Sequence, residues 1–180
     1  TSTGVVHPVQ EMAKLVSEYS ETILIVDAIT ALGVINLPAD EWGIDMMICG
    51  SQKALMLPPG LATLSVSDKA WSLVEKSDLP KFYFDLKAER KALQKGTTSW
   101  TPAVSLIIGL NKALDLMQLE GLDNMFTRHA QMASSIREAA RAIGLQLFAP
   151  ETPSNAVTSI YAPEGISSSK IVAGLRDRFN

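Results

Sequence analysis

The stretch from Met46 to Ser67, MMICGSQKALMLPPGLATLSVS, contains one charged side chain, Lys53. Moving an ammonium out of water is costly, so a lysine inside such an apolar run needs a partner or a chemical task. A desolvated amine is a standard nucleophile for a carbonyl. Asp27 closes a second apolar run, TILIVD, and Gly50, Ser51 and Gln52 stand directly before the lysine. Thr1-Ser2-Thr3-Gly4 adds hydroxyls ahead of the first helical segment.

The elements that must position these groups are legible in the spacing. TILIVD and IDMMICG are continuous β-branched and apolar runs, the pattern of buried parallel strands. LATLSVS is a third strand. HPVQEMAKLVSEYS carries a helical stripe at Val9, Met12, Val16 and Tyr19, with Pro8 suited to its first turn. ALGVINLPADEWG reads as a connection, and Asp68 opens a helix that runs to Lys76. KFYFDL reads as a short strand before a charged helix at residues 87–94. Strands alternating with helices imply an α/β sheet, in which functional groups collect at the carboxyl ends of the strands. Asp27 and Gly50 to Lys53 lie at two such ends, and residues 1–4 fall where a third strand would end.

Further on, KGTTSWTP is a polar loop, and Pro102 starts a helix with Leu106, Leu110, Ala113, Leu114 and Met117 on one face. Glu120-Gly121 breaks it. A second long helix reaches Ile143, with Leu122, Met125, Phe126, Ala133, Ile136 and Ala140 inward and His129 as a satisfied boundary residue. LQLFAP and NAVTSIYAP read as strands around a Pro-rich turn, and SSSKIVAGLRDRF as a helix. The expected division is therefore residues 1–120 as part of a large domain, and residues 121–180 as a linking helix and the start of a small α+β domain.

Composition narrows the class. The 180 residues are 47% apolar with a net charge of −3. A mean hydropathy of +0.15 suggests a sizeable core and a large buried interface. The basic cluster in LKAERKALQK is interleaved with Glu89 and reads as a solvated helix face, so no nucleic-acid partner is expected. Lys53, Gly50, Gly60 and the Pro58-Pro59 pair argue against a membrane span. The single cysteine, Cys49, excludes an internal disulfide and fits a reducing compartment, so a cytoplasmic location is expected, with a peroxisome or other organelle left open. No metal site is expected. TSTGVV lacks an initiating methionine and LRDRFN stops inside a helix, so both ends look cut.

A lysine that bonds a carbonyl, with a carboxylate held one strand away, is the protein's share of pyridoxal-phosphate chemistry, the acid serving the ring nitrogen. The plain alternative is a buried Asp27–Lys53 ion pair. TSTGVVHPVQEMAKL, ILIVDAITALGVINLPADEWGIDMMICGSQKALMLPPGLA and TTSWTPAVSLIIGLNKAL resemble the class V aminotransferases, in particular the alanine–glyoxylate, serine–pyruvate and serine–glyoxylate group. The resemblance covers essentially the whole chain.

It implies a fold type I enzyme, with this chain as the C-terminal half of the large domain (mainly parallel sheet with flanking helices) plus the start of the small domain. It further implies a homodimer with shared active sites and pyridoxal 5'-phosphate as cofactor. An amino group would move from alanine or serine to glyoxylate or pyruvate. By position, Lys53 would be the aldimine lysine and proton shuttle, and Asp27 would bond the pyridine nitrogen. Thr1 would contact the cofactor beside the ring hydroxyl, Ile29 would pack on the ring face and Gln52 would bond the phosphate. Thr98 and Thr101 would reach the partner's phosphate, with the register among Thr97, Thr98, Trp100 and Thr101 left open. The family's N-terminal phosphate loop and ring-stacking aromatic, and its C-terminal carboxylate-binding arginine, have no counterpart in this sequence. Arg176 and Arg178 lie too early for that arginine and read as a solvated helix face. The isolated 180 residues are accordingly expected to be inactive. Two alternatives remain. One is a piece that serves only folding or dimerisation. The other is a cysteine desulfurase-like lyase, in which a histidine would replace Gln52 and a cysteine would sit on a mobile loop.

Overall fold

The computed structural model describes residues 2–179. They form two compact units, Pro8–Leu122 and a second built from residues 2–7 and 123–179. The expected division kept the first seven residues with the larger unit; here residues 2–7 group with the second.

In the first unit, α1 (Val9–Ser17) leads to β1 (Ile25–Asp27), the short α2 (Ala39–Trp42), β2 (Met46–Gly50) and β3 (Ala62–Val66). Three further helices follow: α3 (Asp68–Lys76), α4 (Leu86–Leu93) and α5 (Val104–Glu120). The sheet order is β1-β2-β3. β1 and β2 are parallel, with Asp27 opposite Ile48. The Ala28 amide donates to Ile48 O at 2.9 Å and carries that pairing one residue past the strand. β3 runs antiparallel to β2, with Gly50 opposite Ala62. The sheet is thus mixed rather than mainly parallel over these strands. Residues 51–61 return the chain directly, and a parallel pair would have required a crossover across the sheet face.

Val26, Ala28, Ile44 and Cys49 form the buried centre, flanked by Val9, Leu24, Leu32, Trp42 and Met47. Asp45 is buried at 5% exposure at the amino end of β2. Its carboxylate accepts the Leu24 amide at 2.9 Å and the Ser67 hydroxyl at 2.8 Å. Ser67 in turn caps α3 by accepting the Ala70 amide at 3.1 Å. One carboxylate therefore joins the entry to β1, the entry to β2 and the exit of β3, leaving the opposite end of the sheet for chemistry.

Two expected details of the first unit differ. KFYFDL pairs with no strand; Tyr83 stacks on Trp100 with centroids 4.8 Å apart, and Phe82 meets the same indole edge-on. Ring contacts substitute for a ladder in a segment entered through Pro80. The helix expected from Pro102 begins at Val104, whose amide bonds back to Pro102 O.

The second unit contains α6 (Leu122–Ala142), which starts at the junction, and α7 (Ser168–Phe179). Met125, Ala133 and Ala140 of α6 are buried, whereas Leu122 and Ile136, expected inward, are exposed. LQLFAP and NAVTSIYAP meet only through an isolated bridge between Leu147 and Ile160. Pro150, Pro153 and Pro163 lack the amides that a longer ladder needs. Residues 2–7 join this unit through a Val5–Pro153 bridge, with the Ser154 amide on Gly4 O at 2.7 Å. In place of the third strand end expected near residues 1–4, residues 2–5 form a turn and a bridge. Thr1 lies outside the described residues.

Candidate active site

Two neighbouring strand ends meet as the alternation implied. Asp27 is the last residue of β1, and Lys53 follows the last residue of the parallel β2 by three positions. Asp27 is exposed, and its Oδ1 accepts the Ile29 amide at 3.0 Å. This short turn orients the carboxylate and leaves Oδ2 without a partner among the described residues. Lys53 is also exposed rather than buried, and no described residue bonds its Nζ. The buried ion pair weighed for Asp27 and Lys53 is not formed.

Gly50 shows how the two ends approach. A Cβ placed there would come within 3.0 Å of Gln52 Oε1 and 3.6 Å of Ile29 Cγ2. The Gln52 amide and the Ile29 side chain therefore converge over a glycine surface that any larger residue would fill. Ile29 and Gln52 border this cradle, with Asp27 two residues before Ile29 and Lys53 next after Gln52 in the chain.

Ser51, to which the sequence reading gave no task of its own, is buried at 1% exposure. Its hydroxyl donates to Pro58 O at 2.8 Å and accepts the Leu61 amide at 3.2 Å. The signal was present: a serine directly after a buried strand, ahead of a Pro-Pro-Gly segment whose polar backbone groups need partners. Met56 is the other special residue of this loop, with a φ of 56° and its amide on Lys53 O at 2.9 Å. Cys49 is buried in β2, and burial, reinforced by the Asp27 charge, pushes its thiol above the usual range against a hydrogen bond to Thr63. A protonated, enclosed thiol on a strand is unlike the mobile nucleophile of a desulfurase.

Thr98 and Thr101 are elsewhere in the first unit. They line an apolar groove of about 560 Å³ with Leu64 of β3, Tyr83, Trp100 and Ile107 of α5, and none of Asp27, Ile29, Gln52 and Lys53 borders it. The Thr98 hydroxyl donates to Trp100 O, and the Trp100 indole N–H to Tyr83 O at 3.3 Å. Thr101 is exposed and makes no hydrogen bond with a described residue.

Comparison with known proteins decides the family. The family model described as "Aminotransferase class-V" matches residues 1–178. The chain belongs to the class V aminotransferase family. Class V aminotransferases are pyridoxal-phosphate enzymes of fold type I. The chain is similar, at 41% identity over its whole length, to 47% of a protein from Synechococcus sp. (strain PCC 6716) named "Soluble hydrogenase, small subunit". It is 38% identical, again over its whole length, to 47% of the serine–glyoxylate aminotransferase of Methylorubrum extorquens. Among solved structures, an alanine–glyoxylate aminotransferase from Nostoc sp. matches 99% of this chain and 48% of its own at a TM-score of 0.92 and 27% identity. The chain spans about half the length of the curated relatives it matches. Among the described residues no helix is long and apolar enough to cross a membrane.

Proposed function

We propose that the protein containing these residues is an aminotransferase that moves an amino group from a small amino acid, alanine or serine, to glyoxylate or pyruvate. The observation that carries this reading is the pair of adjacent parallel strand ends, where the Asp27 carboxylate and the Lys53 ammonium stand unpaired with each other. The names of the glyoxylate aminotransferase relatives support the substrate class. The residues present fit pyridoxal 5'-phosphate in their chemistry: an acid (Asp27), an amine (Lys53) and an amide (Gln52) stand at or just past the ends of two adjacent parallel strands, and the Gln52 amide and Ile29 pack over a glycine that leaves room for no larger side chain. Bound there, the cofactor would supply an electron-withdrawing ring that stabilises negative charge at the substrate Cα.

The chain's own groups would divide the work. The Asp27 carboxylate, oriented by the Ile29 amide on Oδ1, would hold a proton on the ring nitrogen through Oδ2. Lys53 Nζ would hold the cofactor before substrate enters, then take and return the Cα proton. Gln52 would donate its amide N–H to the phosphate, and Ile29 would cover a ring face. Thr1 would bond near the ring hydroxyl.

We assign Thr98 and Thr101 to the phosphate of a second copy, in a homodimer with shared sites. Lys53 and the two threonines face different surroundings in one copy, in keeping with that assignment. The test is reduction of the full-length protein with borohydride after loading with pyridoxal phosphate, alongside assays with serine or alanine and glyoxylate. The cofactor mass is expected on the peptide containing Lys53, and Lys53→Ala should lose both capture and turnover. Near-normal turnover by Lys53→Ala without added amine would refute the assignment.

A further inference from the structure

In the loop that bears Lys53, Gln52, Lys53, Met56 and residues 58–60 are exposed, whereas Ser51 at its base is buried and held by several hydrogen bonds. Ser51 and three later residues account for this. The Ser51 amide donates to Leu61 O at 3.1 Å, and the Leu57 amide donates to Ser51 O at 3.1 Å. The Ser51 hydroxyl adds the bonds to Pro58 O and from the Leu61 amide. Both faces of one residue thus tie the start of the loop to its end. The hydroxyl serves two backbone groups that lie past the ends of the β2–β3 ladder.

From below, α5 closes on the same loop. A Cβ on Gly109 would come within 2.7 Å of Leu57 Cδ2, and one on Gly60 within 2.7 Å of Leu106 Cδ1. The backbone is clamped, while no described residue bonds the Lys53 side chain. The clamp fixes the root of the lysine side chain, and with it the region that its flexible stem can reach with Nζ.

We propose that the Ser51 hydroxyl is the positioning group of the lysine loop, setting the placement of Lys53 Nζ toward the cofactor without touching the cofactor itself. This rests on Lys53 being the residue that holds pyridoxal phosphate. A hydroxyl at this point can do what no aliphatic side chain can, because it donates to a carbonyl and accepts from an amide at once. Buried hydrogen bonds of this kind hold a catalytic side chain in register, and small displacements at such a site carry large rate penalties.

The test uses the full-length protein with Ser51→Ala and Ser51→Cys. Cysteine fills nearly the same space with a poor hydrogen-bond donor, so it stands in if alanine fails to fold. Three readouts are taken: amide exchange at Leu61, the rate of borohydride capture of pyridoxal phosphate on Lys53, and the pH midpoint of the bound cofactor's visible band. Exchange at Leu61 should accelerate at least tenfold while Ile48 and Cys49 stay unchanged. Capture should slow at least fivefold and the pH midpoint should move. A purely structural serine would lower the melting temperature and leave the pH midpoint where it was, and that result overturns the proposal. So does a Ser51→Cys variant that matches the wild type in all three. Absence of capture on Lys53 in the wild-type protein would instead overturn the functional reading on which the proposal stands, and is thereby distinguished from failure of the Ser51 role.

Discussion

At the scale of single residues, the described atoms separate groups already occupied from groups left available. Asp27 has one oxygen held by the Ile29 amide and one without a partner among the described residues. Asp27→Asn keeps the shape and removes the charge. A hydrogen bond to a charged group contributes about 1.5–3 kcal/mol, and each 1.4 kcal/mol is about tenfold in affinity. The variant is therefore expected to bind pyridoxal phosphate roughly tenfold to a hundredfold more weakly and to slow Cα proton transfer, as measured by equilibrium titration and substrate deuterium exchange. Unchanged affinity and exchange would remove Asp27 from the ring nitrogen. The two threonines are distinguished in the same way. Thr98 spends its hydroxyl proton on Trp100 O, whereas Thr101 has its proton to give. Thr101→Ala should weaken cofactor retention in the full-length protein more than Thr98→Ala does, on dialysis against phosphate buffer. The reverse order would place the phosphate contact at Thr98.

At the scale of elements, the sheet is tied at one end and open at the other. Asp45 joins the entries to β1 and β2 and the exit of β3, with Lys69 Nζ 4.0 Å from its carboxylate. Asp45→Ala leaves the half-buried Leu24 amide and the Ser67 hydroxyl without their acceptor. Each loss costs about 1–3 kcal/mol, so a destabilisation of roughly 2–6 kcal/mol is expected, read as a lower urea midpoint. Because Asp45 sits at the end of the sheet away from Asp27 and Lys53, the surviving folded fraction should bind cofactor as before. Weaker affinity at unchanged stability would mean that Asp45 acts on the site itself.

At the scale of the whole molecule, apolar surface is the dominant fact. Ile107, Ile108, Leu114, Leu116 and Leu119 of α5 are exposed on more than one side of the helix, together with Phe82 and Phe84 at 84% and 90% exposure. A helix that is apolar all round is normally enclosed, and exposed apolar surface of this kind drives association. The 180 residues prepared alone are expected to elute as oligomers or aggregates in size-exclusion chromatography with light scattering, and to disperse in mild detergent. They should hold pyridoxal phosphate only weakly and show no turnover with serine or alanine and glyoxylate. A monodisperse monomer with full turnover, its mass matching these residues, would contradict this.

The strands and most helices were legible in sequence because each is a local pattern, and local patterns single out the candidate site residues too. Unbroken apolar runs end at Asp27 and Gly50, a period near 3.6 marks α1, α5 and α6, and a lone lysine stands out against neutral neighbours. Tertiary structure alone decided the direction of β3, since LATLSVS has the same pattern in a parallel or an antiparallel partner. It decided that Phe82, Tyr83 and Trp100 meet as rings instead of forming a strand, and that Pro-rich segments after Gly144 pair through one bridge. It also decided that Lys53 is exposed and bonded by no described residue while Ser51, two residues away, is enclosed. Polarity predicts neither, because exposure depends on where distant backbone returns. Here Pro58 and Leu61 close over the serine, and the lysine is left on the open side of the turn.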